Sequence, residues 1–263
     1  MKSLALGLHD LKKSLLAWRL WTLLGWLEIR QRYARSKLGP FWLTVSMGVM
    51  VGTLGLVYGT LFKQSLQNYL PMIAIGIIIW NLFSSVVSEG TQAYIVSAHY
   101  LKQVHTSKLI YIFQSVWRQT IIFAHNFVII ILVLAIFKPQ TWWTVFYFIP
   151  GFVLFLLNAT WMAAVLGLVS ARFRDLPQIV SAGLQVAFYV TPILFSGSML
   201  KGQHEWIVRL NPLSYLIDVV RLPLLGIQPT QYVWLISSSM AVLGWLFALW
   251  ITGRYQNRLP FWV

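Results

Sequence analysis

Residues 30–62 read RQRYARSKLGPFWLTVSMGVMVGTLGLVYGTLF. A basic run ending at Lys37 gives way to Leu38–Phe62, which holds no Asp, Glu, Lys or Arg before Lys63. About 20 such residues suffice to carry a helix across the ~30 Å hydrocarbon core of a bilayer. The same criterion picks out further stretches. They are Gln64–Ser88 (apolar from Pro71 and continuing past Glu89), Gln119–Phe137, part of Pro139–Ala171, Leu176–Leu200 and part of Leu222–Gly253. The reading is an all-α polytopic membrane protein with six transmembrane helices. Composition agrees: 58% of the chain is apolar and 10% charged, against roughly 25% charged in soluble domains. A water-soluble fold could not hide that apolar surface. The absence of cysteine excludes disulfides, thiolate metal sites and cysteine nucleophiles.

The net charge of +14 would suggest nucleic acid in a soluble protein, but here the basic residues flank apolar spans, so no nucleic-acid partner is expected. Five of the 20 basic residues, Lys63, Lys138, Lys201, Arg209 and Arg221, fall on one side; the rest fall before the first span, after the second and fourth, or in the tail. The positive-inside bias therefore predicts that both termini are cytoplasmic. Charges break up the first 40 residues, and no cleavable signal peptide is expected.

Three segments lie outside the spans. Leu4, Leu8, Leu11, Leu15 and Trp18 recur every three or four residues, with Lys12, Lys13 and Arg19 elsewhere on the helix. That predicts an amphipathic helix lying in the membrane interface, either as a docking element for a partner or simply as an anchor. Ser97–Trp117 is helical in pattern and longer than the ~2–8 residues of a simple helix connection. The external loop Leu200–Thr230 is apolar enough to form short helices dipping back toward the membrane, with Asp218 and Arg221 placed at i and i+3 for an ion pair.

Enzyme chemistry is hard to build from this chain. Its six acidic residues are scattered, and no HExxH, paired carboxylate or phosphate-binding loop occurs. His125 lies inside the third span and is expected to be neutral and hydrogen-bonded to a neighbouring helix. Few ionisable groups lie in the spans, which argues against a proton-coupled carrier. Uphill transport would draw its energy from another subunit.

The quoted stretch, with its basic run, Leu38-Gly39-Pro40-Phe41-Trp42 and first span, resembles the start of ABC-2 type permeases that export polysaccharides. Further motifs follow in order: Ala171-Arg172-Phe173-Arg174-Asp175-Leu176, Thr191-Pro192-Ile193-Leu194-Phe195, Asn211-Pro212-Leu213-Ser214-Tyr215, and the tail from Gly253 to Trp262. The resemblance covers nearly the whole chain. It implies a single ABC-2 membrane domain, 1–263, with an interface segment 1–37, a six-helix region 38–253 and a cytoplasmic tail 254–263.

It further implies a homodimeric channel in the bacterial inner membrane, two copies of a soluble ABC ATPase, and a polysaccharide on undecaprenyl diphosphate moved to the periplasmic leaflet, with O-antigen as the leading cargo. The chain would not itself be an enzyme and would hold no cofactor; ATP and Mg would belong to the partner. Leu38, Gly39 and Pro40 would sit at the channel entrance. Tyr100, Leu101, His105, Lys108, Arg172, Arg174 and Asp175 would couple to the ATPase. Thr191, Pro192, Asn211, Pro212, Asp218 and Arg221 would form the external gate region. Family members often carry a proline and an acidic residue in the coupling loop; Val104–Lys108 has neither.

Aromatic rings can stack on the C–H faces of sugars, and Tyr58, Tyr189, Phe195 and Tyr215 are the candidates to line the channel. Trp42, Trp80, Trp142, Trp143, Trp234 and Trp250 are read as mostly interfacial belt residues. Capsule or teichoic acid as cargo, a small lipid or drug as cargo, and a membrane-embedded transferase acting on polyprenyl-linked sugar are the rival readings.

Overall fold

The computed structural model describes residues 2–34, 39, 41–103, 106–138, 141–195 and 205–263. The expected entrance residues Leu38 and Pro40 and the expected coupling residue His105 lie outside the described residues.

The elements run α1 (Lys2–Leu16), α2 (Trp18–Tyr33), α3 (Phe41–Leu61), α4 (Leu66–Val96), α5 (Ala98–Gln103), α6 (Leu109–Ile136), a 3₁₀ segment Trp143–Tyr147 leading into α7 (Phe148–Arg172), α8 (Leu176–Val190), α9 (Glu205–Leu210), α10 (Pro212–Leu224), α11 (Gln231–Tyr255) and α12 (Leu259–Trp262). No strand occurs among the described residues. Five of these helices are long and apolar enough to cross a membrane: α3, α4, α6, the 3₁₀ segment with α7, and α11.

The fifth expected span is different, and its residues 196–200 lie outside the described residues. Leu176–Leu200 yields α8, an apolar helix of 15 residues and therefore about 22 Å long, followed by a turn at 191–195. Two other boundaries move. The third span begins at Leu109 rather than Gln119, so Arg118 is inside the helix and Ser97–Trp117 is no single connection. Counting charges as boundaries cut the helix where a paired arginine sits. The last span, expected within Leu222–Gly253, runs from Gln231 on past Gly253 to Tyr255, while Leu222–Leu224 belongs to α10.

The central element is α4. Ile73, Ala74, Ile75, Ile77, Ile78 and Ile79 are all buried, and a helix apolar all round belongs in a core. It packs against α3, α6, α7, α8 and α10. Between helices in lipid the hydrophobic drive is weak, and close approach through small residues does much of the joining. α4 and α7 show this at Gly90, Ala163 and Gly167: a Cβ on Gly90 would stand 2.4 Å from the Ala163 Cβ, and one on Gly167 would stand 2.5 Å from the Gly90 carbonyl oxygen. α3 turns the stripe Met47, Val51, Gly55 and Gly59 inward and leaves Phe41, Trp42, Val45, Val49, Leu56 and Val57 exposed.

The amphipathic N-terminal segment is two helices with a break at Ala17. Leu8, Leu15 and Trp18 of the expected apolar face are exposed, as contact with acyl chains requires. The face turned inward is Gly7, Asp10 and Ser14, and α1 packs on α11. A Cβ on Gly253 would fall 1.8 Å from the Ser3 carbonyl oxygen, and one on Gly7 would fall 2.0 Å from that of Leu249. Only glycine permits this approach. His125 also differs from expectation: its Nδ1 lies 2.8 Å from the Ile121 carbonyl oxygen of its own helix, not a neighbouring one. Trp80 is no belt residue. It is buried within α4, with its ring 5.6 Å from Phe83 and 5.9 Å from Phe188.

Candidate functional site

On α4, Asn81, Ser84, Ser85 and Ser88 occupy positions i, i+3, i+4 and i+7, one face of a helix. Leu82, Phe83, Val86, Val87 and Gly90 lie on the opposite, buried face. Ser85 donates to the Asn81 side-chain oxygen at 3.1 Å and Ser84 to the Asn81 carbonyl at 3.2 Å, which holds the polar stripe in order. Facing it, Ser181 and Gln185 of α8 present a hydroxyl and an amide. The two helices bound a groove of about 610 Å³, whose aromatic wall is Trp80, Phe188 and Tyr189. None of the described residues of α8 is buried, and Tyr189 is 63% exposed.

The groove continues toward the end that carries α1 and most of the positive charge, hereafter the basic end. A second cavity of about 370 Å³ shares Asn81, Ser85 and Glu89 with the first and adds Arg32, Gln119 and Asn126. A third, of about 310 Å³, shares Ser88 and Glu89 and adds Glu28, Gln114 and Arg118. Glu89 lines all three. A polar path therefore runs from the middle of α4 to the basic end.

Four charges bracket that path. Arg118 of α6 forks: one terminal nitrogen pairs with Glu28 of α2, and Nε and the other terminal nitrogen pair with Glu89 of α4. Gln114 donates to Glu28 at 2.5 Å, and Arg32 approaches Glu89 to 4.0 Å. Three helices are tied at one guanidinium, a planar fork suited to two carboxylates at once. Neither this quartet nor the serine stripe was among the expected site residues. Both left signals in sequence: Arg118 interrupts an apolar run, Glu28 and Arg32 are spaced i, i+4, and the stripe has helical period.

At the basic end, Asp10 is buried and accepts the Lys108 N–H at 2.9 Å and the Leu109 N–H at 3.0 Å. It thereby caps α6 from another helix, satisfying donors no intrahelical partner reaches. Burial pushes the Asp10 carboxyl above its ordinary value, although those N–H groups and nearby Lys108 act to lower it. Asp10→Ala is expected to cost about 1–2 kcal/mol and to loosen α1, read as faster proteolysis of residues 2–34 with the rest of the chain intact. Of the expected coupling residues, Tyr100 is exposed on α5 and Leu101 is buried. Arg174 donates to the Trp262 carbonyl at 3.2 Å, and Arg172 stacks over the Phe173 and Trp262 rings at 5.5 Å each. Asp175 is the N-cap of α8. Gly39 has φ +55° with no described atom within 4 Å of a Cβ position, so backbone conformation rather than crowding calls for glycine.

The far end gathers the remaining motifs. Asn211 donates to Thr191 at 2.9 Å and accepts from the Leu213 N–H at 3.0 Å, capping α10 ahead of Pro212. Arg221 pairs with Asp218 at 2.5 Å, as its spacing predicted, and donates to the Pro192 carbonyl. Tyr69 of α4 donates to the Leu194 carbonyl. Tyr215 donates to the Arg209 carbonyl here, Tyr58 packs on Phe62, and neither they nor Phe195 lines the groove.

An all-helical chain with several bilayer-length helices and an internal polar path is a multi-pass membrane protein. Residues 19–225 match the family described as ABC-2 type transporter, and the chain belongs to that family. Among similar proteins, an O-antigen export system permease protein RfbA of Klebsiella pneumoniae is 24% identical over 194 residues, 72% of this chain and 74% of its own. One of the same name from Myxococcus xanthus is 26% identical over 200 residues, with the same coverage.

Proposed function

We propose that this chain is the membrane subunit of an ATP-driven exporter of lipid-linked polysaccharide, with O-antigen the leading cargo. The observation that carries the reading is the groove between α4 and α8, where both helices bring hydroxyls and amides together with aromatic rings. Sugars present hydroxyls and apolar C–H faces together, and such a surface holds a chain weakly enough to slide. The relatives' shared name supports the cargo class. The basic end is taken as cytoplasmic, so the polar path leads outward from it. α8 serves as the short sixth crossing, and the exposed faces of α3 and α8 are where a second copy would close the channel. Undecaprenyl diphosphate is the carrier in this reading. Two ABC ATPase subunits, which carry ATP and Mg, engage α5 and the 172–175 turn, both of which pack near the α12 tail.

The test is export in cells carrying Ser84→Val with Ser85→Val, and separately Gln185→Leu. Each removes hydrogen-bonding groups; leucine keeps nearly the bulk of glutamine, and valine is larger than serine by one methyl. Surface polysaccharide is expected to fall about tenfold in the paired variant, two hydrogen bonds' worth, with chain abundance and ATPase association unchanged. Normal export would exclude the groove as the path. Loss of a capsule or teichoic polymer in place of O-antigen would reassign the cargo and keep the machine.

A further inference from the structure

A cavity of about 440 Å³ lies apart from the polar path, where α1, the residues before α6 and the end of α11 meet. Its polar lining combines two cations with the His9 ring and with hydroxyls and amides able to donate. Lys13 and Lys108 bring ammonium groups, Thr106 and Ser107 hydroxyls, and Gln256 and Asn257 amides. The one carboxylate on its wall, Asp10, is already engaged with the backbone N–H groups that begin α6. Among the described residues no ion pair joins either lysine to a carboxylate. Lys108 is partly buried, and burial lowers its ammonium pKa, so it lacks full compensation for the water it has lost. Depth in the membrane follows from the neighbours. Leu8, Leu15 and Leu16 of α1 and Trp18 of α2 stand exposed, and with that segment lying in the membrane interface they meet acyl chains, which puts the cavity at headgroup level.

We infer that this cavity binds the phosphate of an anionic lipid headgroup in the leaflet at the basic end, through Lys13 and Lys108. Basic pockets between membrane helices suit such headgroups, where charge and a nearby apolar surface act together. The occupant would join α1 to the start of α6 and the end of α11 at the point where Asp10 already links the first two. The inference stands whatever the cargo is. The same phosphate chemistry is offered by bulk phospholipid and by a prenyl diphosphate, and the experiment separates them.

The full-length protein, with any subunit that copurifies, is titrated with short-chain phosphatidylglycerol in a neutral detergent and bound lipid is counted by native mass spectrometry. Lys13→Gln with Lys108→Gln is expected to weaken binding by on the order of thirtyfold. The pair Lys2→Gln with Lys12→Gln, equal in charge but outside the cavity, should bind as the parent does. Lys108→Gln keeps the backbone N–H that Asp10 accepts, so the fold is retained. Farnesyl diphosphate displacing the phospholipid supports the site and assigns it to a carrier lipid; displacement only by a second anionic phospholipid supports the site and assigns it to the bilayer. Equal weakening in both double variants would reduce the attraction to diffuse charge and overturn the inference. So would a Lys13/Lys108 variant that keeps its lipid and sheds a copurifying subunit, since the cavity would then be a protein contact.

Discussion

Gly90→Leu is expected to abolish accumulation of folded protein. The hydrogen that stands for the Gly90 side chain faces the Ala163 backbone: a Cβ would lie 2.7 Å from the Ala163 Cα and 3.2 Å from its carbonyl oxygen, beyond the clash with the Ala163 methyl. A flexible side chain could yield, but helix backbone cannot. The pair must separate along the most extensive packing surface of the molecule, where Gly167 and Tyr94 also meet. The cost is at least about 3 kcal/mol, the upper range of overpacking penalties. Detergent extraction followed by size-exclusion chromatography checks it: the parent elutes as one species and the variant as aggregate. Gly90→Ala combined with Ala163→Gly removes the nearest atom and should recover part of the yield. A monodisperse Gly90→Leu protein would mean that α4 and α7 do not meet this way.

Arg118→Ala is expected to cost on the order of 3 kcal/mol and to stop transport. The arginine side chain is 16% exposed. Its removal leaves Glu28 and Glu89 without their shared partner, with Arg32 at 4.0 Å the remaining cation beside Glu89. Only the arginine is well buried, with Glu28 35% and Glu89 27% exposed, so solvent screens part of the charge left unpaired and the cost sits at the low end for breaking a buried pair. Neutralising all three, Glu28→Gln, Glu89→Gln and Arg118→Gln together, should restore much of the thermal stability, because amides can bond one another without a desolvated charge. Arg118→Lys should recover less than the triple change, since one ammonium cannot reproduce a fork between two helices. Thermal unfolding of the purified variants orders them: parent, triple variant, lysine, alanine. Equal stability of the alanine variant and the parent would show that the quartet bears no structural load.

Much of this architecture was legible one residue at a time. A helix in lipid must be apolar over a bilayer's thickness, so the runs after Lys37 and around Ile73–Ile79 announce themselves. The Asp218–Arg221 pair follows from its spacing, and short helices in the external loop follow from its apolar content. Contacts between distant elements were not legible. Nothing in the run LIYIFQSVWRQTIIF tells that Arg118 has carboxylates waiting on α2 and α4, so it was taken for a boundary. Glycines 7, 90 and 253 look alike in sequence, and which backbone each admits depends on the neighbouring helix.

By itself, then, the sequence determined that this is a helical membrane protein, because hydropathy and charge placement act through local chemistry and through the bilayer, while its short motifs carried the resemblance to ABC-2 permeases. The tertiary structure decided which faces meet: that α1 buries Asp10 and packs Leu4 and Leu11 against the core while leaving Leu8 and Leu15 exposed, that a guanidinium joins three helices, and that the serine stripe of α4 opposes α8 across a polar groove. Those outcomes depend on close packing between segments far apart in the chain, and only the folded molecule brings those segments into contact.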